Sequence, residues 1–374
     1  MVFDFLCALC GRPSRPLRLN ALNCPEFDSI PQLRETLAMR PSLLLVLLAV
    51  PLLAQNPLPQ KSNTTENLRG VSTISHHIAW ASGTHGTYLR STDDGRTWRA
   101  AQVPGAESLD FRDVEAFSAD VAYVLSAGPG DQSRIYKTTD AGKNWTLQFT
   151  NKDPKGFFDC MAFWDRDHGI AVGDPVADSS GKLKFELIST ADGGRNWKSL
   201  SDTLPEALPG EGAFAASGTC IAVQKKSHVW FATGGKVARV FHSTDAGKTW
   251  TVTDTPIVHG PDSAGIFSIA FRDAKHCVIA GGDYKHPDQS GPNLAFTDDG
   301  GRTWKLSSAT PQAYFSAVAF EGRGDRMIAL GTALTVRVEK NIATKISGLD
   351  LNAISVSHSG QAIAVGPKGQ IVTF

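Results

Sequence analysis

Neither sign of charge prevails in this chain: 37 Lys and Arg stand against 37 Asp and Glu. With no basic excess to track a nucleic-acid backbone and no acidic tail, nucleic acid is not an expected partner. Cysteines are few, six in 374 residues, and Cys7, Cys10 and Cys24 all fall before residue 39. Cys7-x-x-Cys10 is half a zinc site whose second half is missing, so no metal site is expected. Beyond residue 54 only Cys160, Cys220 and Cys277 remain, each in an apolar strand-like run (CMAF, TCIAV, HCVIA). They are expected as buried free thiols. An oxidising compartment would permit one bridge, but three cysteines give no disulfide framework. No GxGxxG follows a strand and opens a helix, and no haem attachment motif is present, so no cofactor is expected.

Long apolar runs are lacking as well. LLLVLLAVPLL at 43–53 has eleven residues, too few to span a bilayer comfortably. Arg40 precedes it and Ala54-Gln55 follows, the pattern of a secretory signal. The run begins some forty residues into the chain, and Met39 stands directly before Arg40. The expected organisation is an upstream artefact or extension over 1–38, a signal peptide over 39–54, and one domain over 55–374. The product would be secreted or periplasmic, with no stable membrane span after cleavage. The alternative is a cytoplasmic extension ahead of a signal anchor.

What the chain does have is glycine (35), more Trp (8) than Tyr (5), and a repeat. STDDGRTW (91–98), TTDAGKNW (138–145), TADGGRNW (190–197), STDAGKTW (243–250) and TDDGGRTW (297–304) start 47, 52, 53 and 54 residues apart. A period of that length means one supersecondary unit per repeat, and propeller blades are the main all-β solution. The octapeptide is a turn. Its Asp accepts backbone N–H bonds two or three residues on, its Ser or Thr bonds across the turn, its Gly supplies positive φ, and its Trp opens the next strand. Asp93, Asp140, Asp192, Asp245 and Asp299, with Trp98, Trp145, Trp197, Trp250 and Trp304, are therefore structural. Five equivalent copies cannot share one active site.

Four strands are legible per unit, for example 157–163, 168–174, 182–190 and 196–200. Blade four is expected to run over 212–253. A sixth unit (314–347) has no octapeptide, and a seventh has three strands before the chain ends. A propeller that does not close leaves a sheet edge exposed. The expectation is an all-β, seven-bladed propeller of four-stranded antiparallel blades, closed by a strand from 61–67, with six or eight blades as alternatives.

The octapeptides, with FDCMAFWDRDHGIAVGD, STADGGRNW, FRDAKHCVIAGGDY and TDDGGRTW, resemble the Asp-box repeats of the bacterial neuraminidase repeat superfamily. Within it the chain looks most like the photosystem II assembly and stability factors and their relatives in non-photosynthetic bacteria, over roughly 65–347. The resemblance implies a propeller but no particular chemistry, since sialidases, sortilin-type receptors, xyloglucan-active hydrolases and assembly factors share the repeat. Sialidases carry an Arg-Ile-Pro motif. Here the nearest string is Arg134-Ile135-Tyr136, inside a strand.

Function is sought in what does not repeat. Asp159 (in FFD) and Glu211 (in GEGAF, at the start of an apolar inner strand) are candidate catalytic carboxyls, because desolvation would raise their pKa for general-acid work. Asp113, Asp174, Arg239, Asp283, Tyr284 and His286 are ligand-binding candidates at strand ends or on the loops 173–182 and 281–293. His76-His77 is expected at a strand edge. The leading expectation is a monomeric, non-catalytic binding or scaffold propeller that takes a protein or glycan partner at its face or axis. The alternative is a glycoside hydrolase with paired carboxylates at the axis.

Overall fold

A computed structural model describes residues 57–374, apart from 75–76, 310, 312, 323 and 358. The expected signal segment, the upstream 1–38 and His76 lie outside the described residues. Runs such as AYVLS, HVWFA and CVIAGG are apolar without alternation, which is how a strand reads when both its faces are covered. They become the second strands of seven four-stranded antiparallel blades, each sandwiched between neighbours.

The innermost strands are Leu68–Ile74, Phe111–Ala116, Phe158–Phe163, Ile221–Gln224, Ala264–Phe271, Ala317–Phe320 and Ala353–Val356, for blades one to seven. The core is a ring of seven apolar clusters, one between each pair of adjacent blades. No helix among the described residues is long and apolar enough to cross a membrane.

The ring closes through the N-terminal side of the chain, as expected, but with a different segment. Leu58–Gln60 supplies the outer strand of blade seven, pairing Leu58 with Thr373 and Gln60 with Ile371. The polar stretch 61–67, expected as that strand, instead crosses from the outermost strand of blade seven to the innermost strand of blade one. On the way Asn63 donates to the Trp98 carbonyl at 2.8 Å, and Glu66 accepts from the Gly369 N–H.

Each octapeptide forms the same turn. In the first, the Thr97 N–H donates to Asp93 Oδ1 at 2.9 Å and the Thr97 hydroxyl to Oδ2, while the Gly95 N–H donates to Ser91 Oγ at 2.9 Å. The carboxylate thus reaches four residues on, further than expected, because two successive residues with positive φ (Asp94 and Gly95) curl the chain back over it. Its hydrogen bonds to Asn196 pull Asp192 down to about 2.

Blade four departs from expectation. Its first strand begins at Ile221, and Glu211–Gly212 is a separate two-residue ribbon paired with Gly234–Gly235, which joins the sheet of blade five at Gly265. Glycine is what allows that approach: a Cβ on Gly234 would sit 2.7 Å from the Gly265 Cα. The cysteine expectation is also corrected. Cys160 and Cys220 form a disulfide (Cα–Cα 6.0 Å), and only Cys277 is a buried free thiol among the described residues. Cys160 lies on the inner strand of blade three and Cys220 directly ahead of that of blade four, a proximity that chain spacing does not reveal.

Candidate functional site

On four innermost strands the pairing register slips by one residue near the start: between Leu68 and Gly70, Phe111 and Asp113, Phe158 and Cys160, and Ile266 and Ser268. The extra residue of such a bulge is turned out of the ladder. Here these residues are Arg69, Arg112, Asp159 and Phe267, and all four line one cavity of about 880 Å³. Ser316 and Asn352, just ahead of the inner strands of blades six and seven, line it too, which places it on the propeller axis.

The apolar residue before each bulge is fully buried. The second strand of blades one, three and five backs it with a glycine. A Cβ on Gly281 would lie 1.9 Å from the Gly265 carbonyl oxygen, and one on Gly173 2.4 Å from that of Phe157. The residue after the bulge ties neighbouring blades together. Asp113 Oδ2 accepts the Met161 N–H at 2.7 Å and Ser268 Oγ accepts the Val318 N–H at 3.0 Å. Asp113, a ligand-binding candidate from sequence, thus faces the next blade and is absent from the cavity wall among the described residues.

The cavity has three chemical sectors. Blades one and two are cationic. Arg112 donates from Nε to Asp110 at 2.8 Å and from Nη1 to the Ala215 carbonyl at 3.1 Å. The Nε of Arg69 is buried with no hydrogen-bond partner among the described residues. Burial, and then the neighbouring Arg112 guanidinium, pull Arg69 below the ordinary arginine value.

Blade three is acidic. Asp159 is 1% exposed and its Oδ2 has no hydrogen-bond partner among the described residues. Burial, reinforced by Asp174, raises it well above the ordinary carboxyl range. Asp174 sits at another bulge, accepts the Ala213 N–H at 2.9 Å, and is pushed up to about 6 by burial. The third sector is aromatic: Phe214 stacks on Phe267 at 4.0 Å, and Tyr314 meets Phe267 edge-on at 4.7 Å.

The structure brings Asp159, Asp174, Glu211 and Tyr284 to the cavity. Glu211 is saturated, however. It accepts from Arg239 Nε (2.9 Å) and Nη2, from the Thr233 hydroxyl (2.7 Å) and from the Leu208 N–H (2.9 Å). Expected at the start of an inner strand, it instead clamps the ribbon, and Arg239 is its counter-ion. Asp283 accepts from His286 Nδ1 at 2.8 Å and the Lys285 N–H at 3.0 Å, and neither Asp283 nor His286 lines the cavity. The expected loop 173–182 is strand as far as Ala177, with a tight turn around Asp178.

Sequence reasoning missed Arg69, Arg112, Lys155 and Tyr314. The signal was present as a repeated step, a buried apolar residue followed by the axial one: LRG, FRD, FDC, FSA and LNA. It becomes legible only once the inner strands are aligned. His77, expected at a strand edge, lies in the turn between the first two strands of blade one, where it pairs with Asp94 at 2.5 Å.

Fold and cavity together define a seven-bladed β-propeller with a polar axial pocket. No family model matches the chain. It is 25% identical over 264 residues to the "Probable oligoxyloglucan-reducing end-specific xyloglucanase" of Neosartorya fischeri, covering 65% of this chain and 30% of that protein. The chain thus spans under a third of that relative's length. Among solved structures, "YCF48 bound to D1 peptide" is 14% identical, with 85% of this chain and 94% of that chain covered and a TM-score of 0.42. "Structure of U3-55K" is 11% identical, with 85% and 98% covered and a TM-score of 0.58. At such identities the likeness is one of fold.

Proposed function

We propose that this chain is an exported propeller of the Asp-box type, akin to the photosystem-assembly-factor relatives, that binds a partner macromolecule through an anionic group seated at the axis. The observation that carries this is Arg69. A guanidinium whose Nε is buried without a partner among the described residues, beside a second guanidinium, is costly unless an anion completes it. Arginine pairs with carboxylates by a planar fork, and the aromatic sector offers apolar contact to the rest of a peptide or glycan. Export accords with the Cys160–Cys220 bridge. The test is capture from an envelope extract. The parent should retain a saturable partner that Arg69→Gln and Arg112→Gln lose. No saturable partner, or one retained equally by both variants, defeats the proposal. N-terminal sequencing of the mature protein tests export, with a start near Gln55 expected.

A second reading, glycoside hydrolysis, is favoured by one observation. Burial holds Asp159 well above the ordinary carboxyl range beside Asp174, which is pushed up to about 6, and an acid and base pair needs two carboxyls set apart in this way. The named activity of the Neosartorya fischeri relative points the same way. Turnover of any substrate in a glycan panel, abolished by Asp159→Asn, would establish it. No turnover across the panel leaves binding alone.

A further inference from the structure

Five of the seven blade interfaces are filled by the octapeptide tryptophan of the following blade. Trp98 packs against Ile363 and Val365 of blade seven, and Trp145 lies 5.0 Å from the Tyr88 ring of blade one. Trp197 meets Phe149, Trp250 packs in the cluster between blades three and four, and Trp304 packs in the cluster of Trp230. Between blades six and seven, Phe374 packs on the cluster instead.

The interface between blades five and six has no such side chain. The register shows why. Lys305 pairs with Phe296, so Trp304 stands opposite Thr297. The matching positions in blade six are Val338 and, opposite it, Ala343. The turn there is only Lys340-Asn341, both with positive φ, as a two-residue hairpin requires.

Where the indole is missing there is a groove of about 420 Å³, walled by Phe296 and Leu306 of blade five and by Phe320, Met327 and Val338 of blade six. Leu306, which lines this groove, is 45% exposed, one of the six large apolar side chains the described surface leaves to water. Around the rim Arg272 pairs with Asp325 and Lys305 with Asp298. Lys340, at the lip, has no partner among the described residues and leaves an unmatched positive charge.

We propose that this groove is a docking slot for an indole side chain presented by an acidic segment of a partner protein. The fold already solves the same packing problem with Trp at five interfaces, and the lip supplies a cation for a carboxylate beside the ring. The site is separate from the axial cavity and does not depend on it.

The experiment uses N-acetyl-tryptophan as probe and carbon-13 methyl-labelled methionine as reporter. Met327 lines the groove, and Met161 is buried in the cluster between blades two and three and serves as control. The full-length chain should show a saturable ring-current shift of the Met327 methyl, with Met161 unmoved. Ala343→Trp fills the slot from within and should abolish the shift. Lys340→Glu, on an exposed turn, should weaken N-acetyl-tryptophan about two- to fivefold while leaving the uncharged amide analogue unchanged. Four results would each overturn the proposal: no shift at saturating probe, an equal response to N-acetyl-leucine, a response retained in Ala343→Trp, or a Met327 signal that moves with protein concentration alone. The last would identify a second copy of the chain as the occupant.

Discussion

The Cys160–Cys220 bridge joins the inner strand of blade three, beside Asp159, to the residue directly ahead of the inner strand of blade four, and both partners are fully buried. The partners are 60 residues apart in sequence. Closing a loop of that length removes chain entropy from the unfolded state worth about 4 kcal/mol. With an unfolding entropy of about 2.1 cal/mol/K per residue, a propeller of this length should lose on the order of 6 °C in Tm when the bridge is absent. The assay is thermal unfolding of parent and of Cys160→Ala/Cys220→Ala, with mass-spectrometric thiol mapping of protein made in an oxidising host. Because neither sulfur is exposed, reductant should leave the native fold unchanged and act only once the chain opens. A double variant whose Tm matches the parent within a degree, or alkylation of Cys160 without prior reduction, would refute the reasoning.

The turn carboxylates should make the fold acid-sensitive. Asp192 and Asp245 are depressed to about 2, so their stabilisation is present above the ordinary carboxyl value near 4 and lost as pH falls towards 2. Asp192→Asn should flatten the Tm profile across that window. Asp174 has the opposite sign. Raised to about 6 by burial, it costs stability as pH climbs from about 4 to 6, and Asp174→Asn, which can still accept the Ala213 N–H, should remove that slope. Gly281→Ala drives a Cβ into the Gly265 carbonyl and should cost about 1–3 kcal/mol in denaturant titration, whereas Gly291→Ala meets nothing within 4 Å and should be near neutral. Glu211→Ala strands the Arg239 guanidinium, whose side chain is 12% exposed, and should cost about 3–5 kcal/mol; a fully stable variant would argue against the clamp.

The octapeptide turn was readable in advance because all its determinants lie within eight residues. Ser91, Asp93, Gly95 and Trp98 specify the hairpin by chemistry that needs no distant partner, and the constant spacing of five copies makes the propeller follow. The N-terminal closing strand was placed a few residues too late, because Leu58–Gln60 pairs with a strand some 310 residues away and polar sequence on either side carries no mark of it. Asp159 was legible from the two Phe residues before it. Its neighbours Arg69 and Arg112 were not, since an isolated arginine in a strand reads as solvated surface.

By itself, then, the sequence determined the repeat, the all-β class and the turns, because each is encoded within one hairpin. Only the tertiary structure decided which side chains meet. Bulges on four inner strands turn Arg69, Arg112, Asp159 and Phe267 into one cavity, neighbouring blades bring Cys160 to Cys220, and Ala343 leaves open a space that Trp fills elsewhere. Each of these depends on register between strands or blades, a quantity that appears only when the ring is closed.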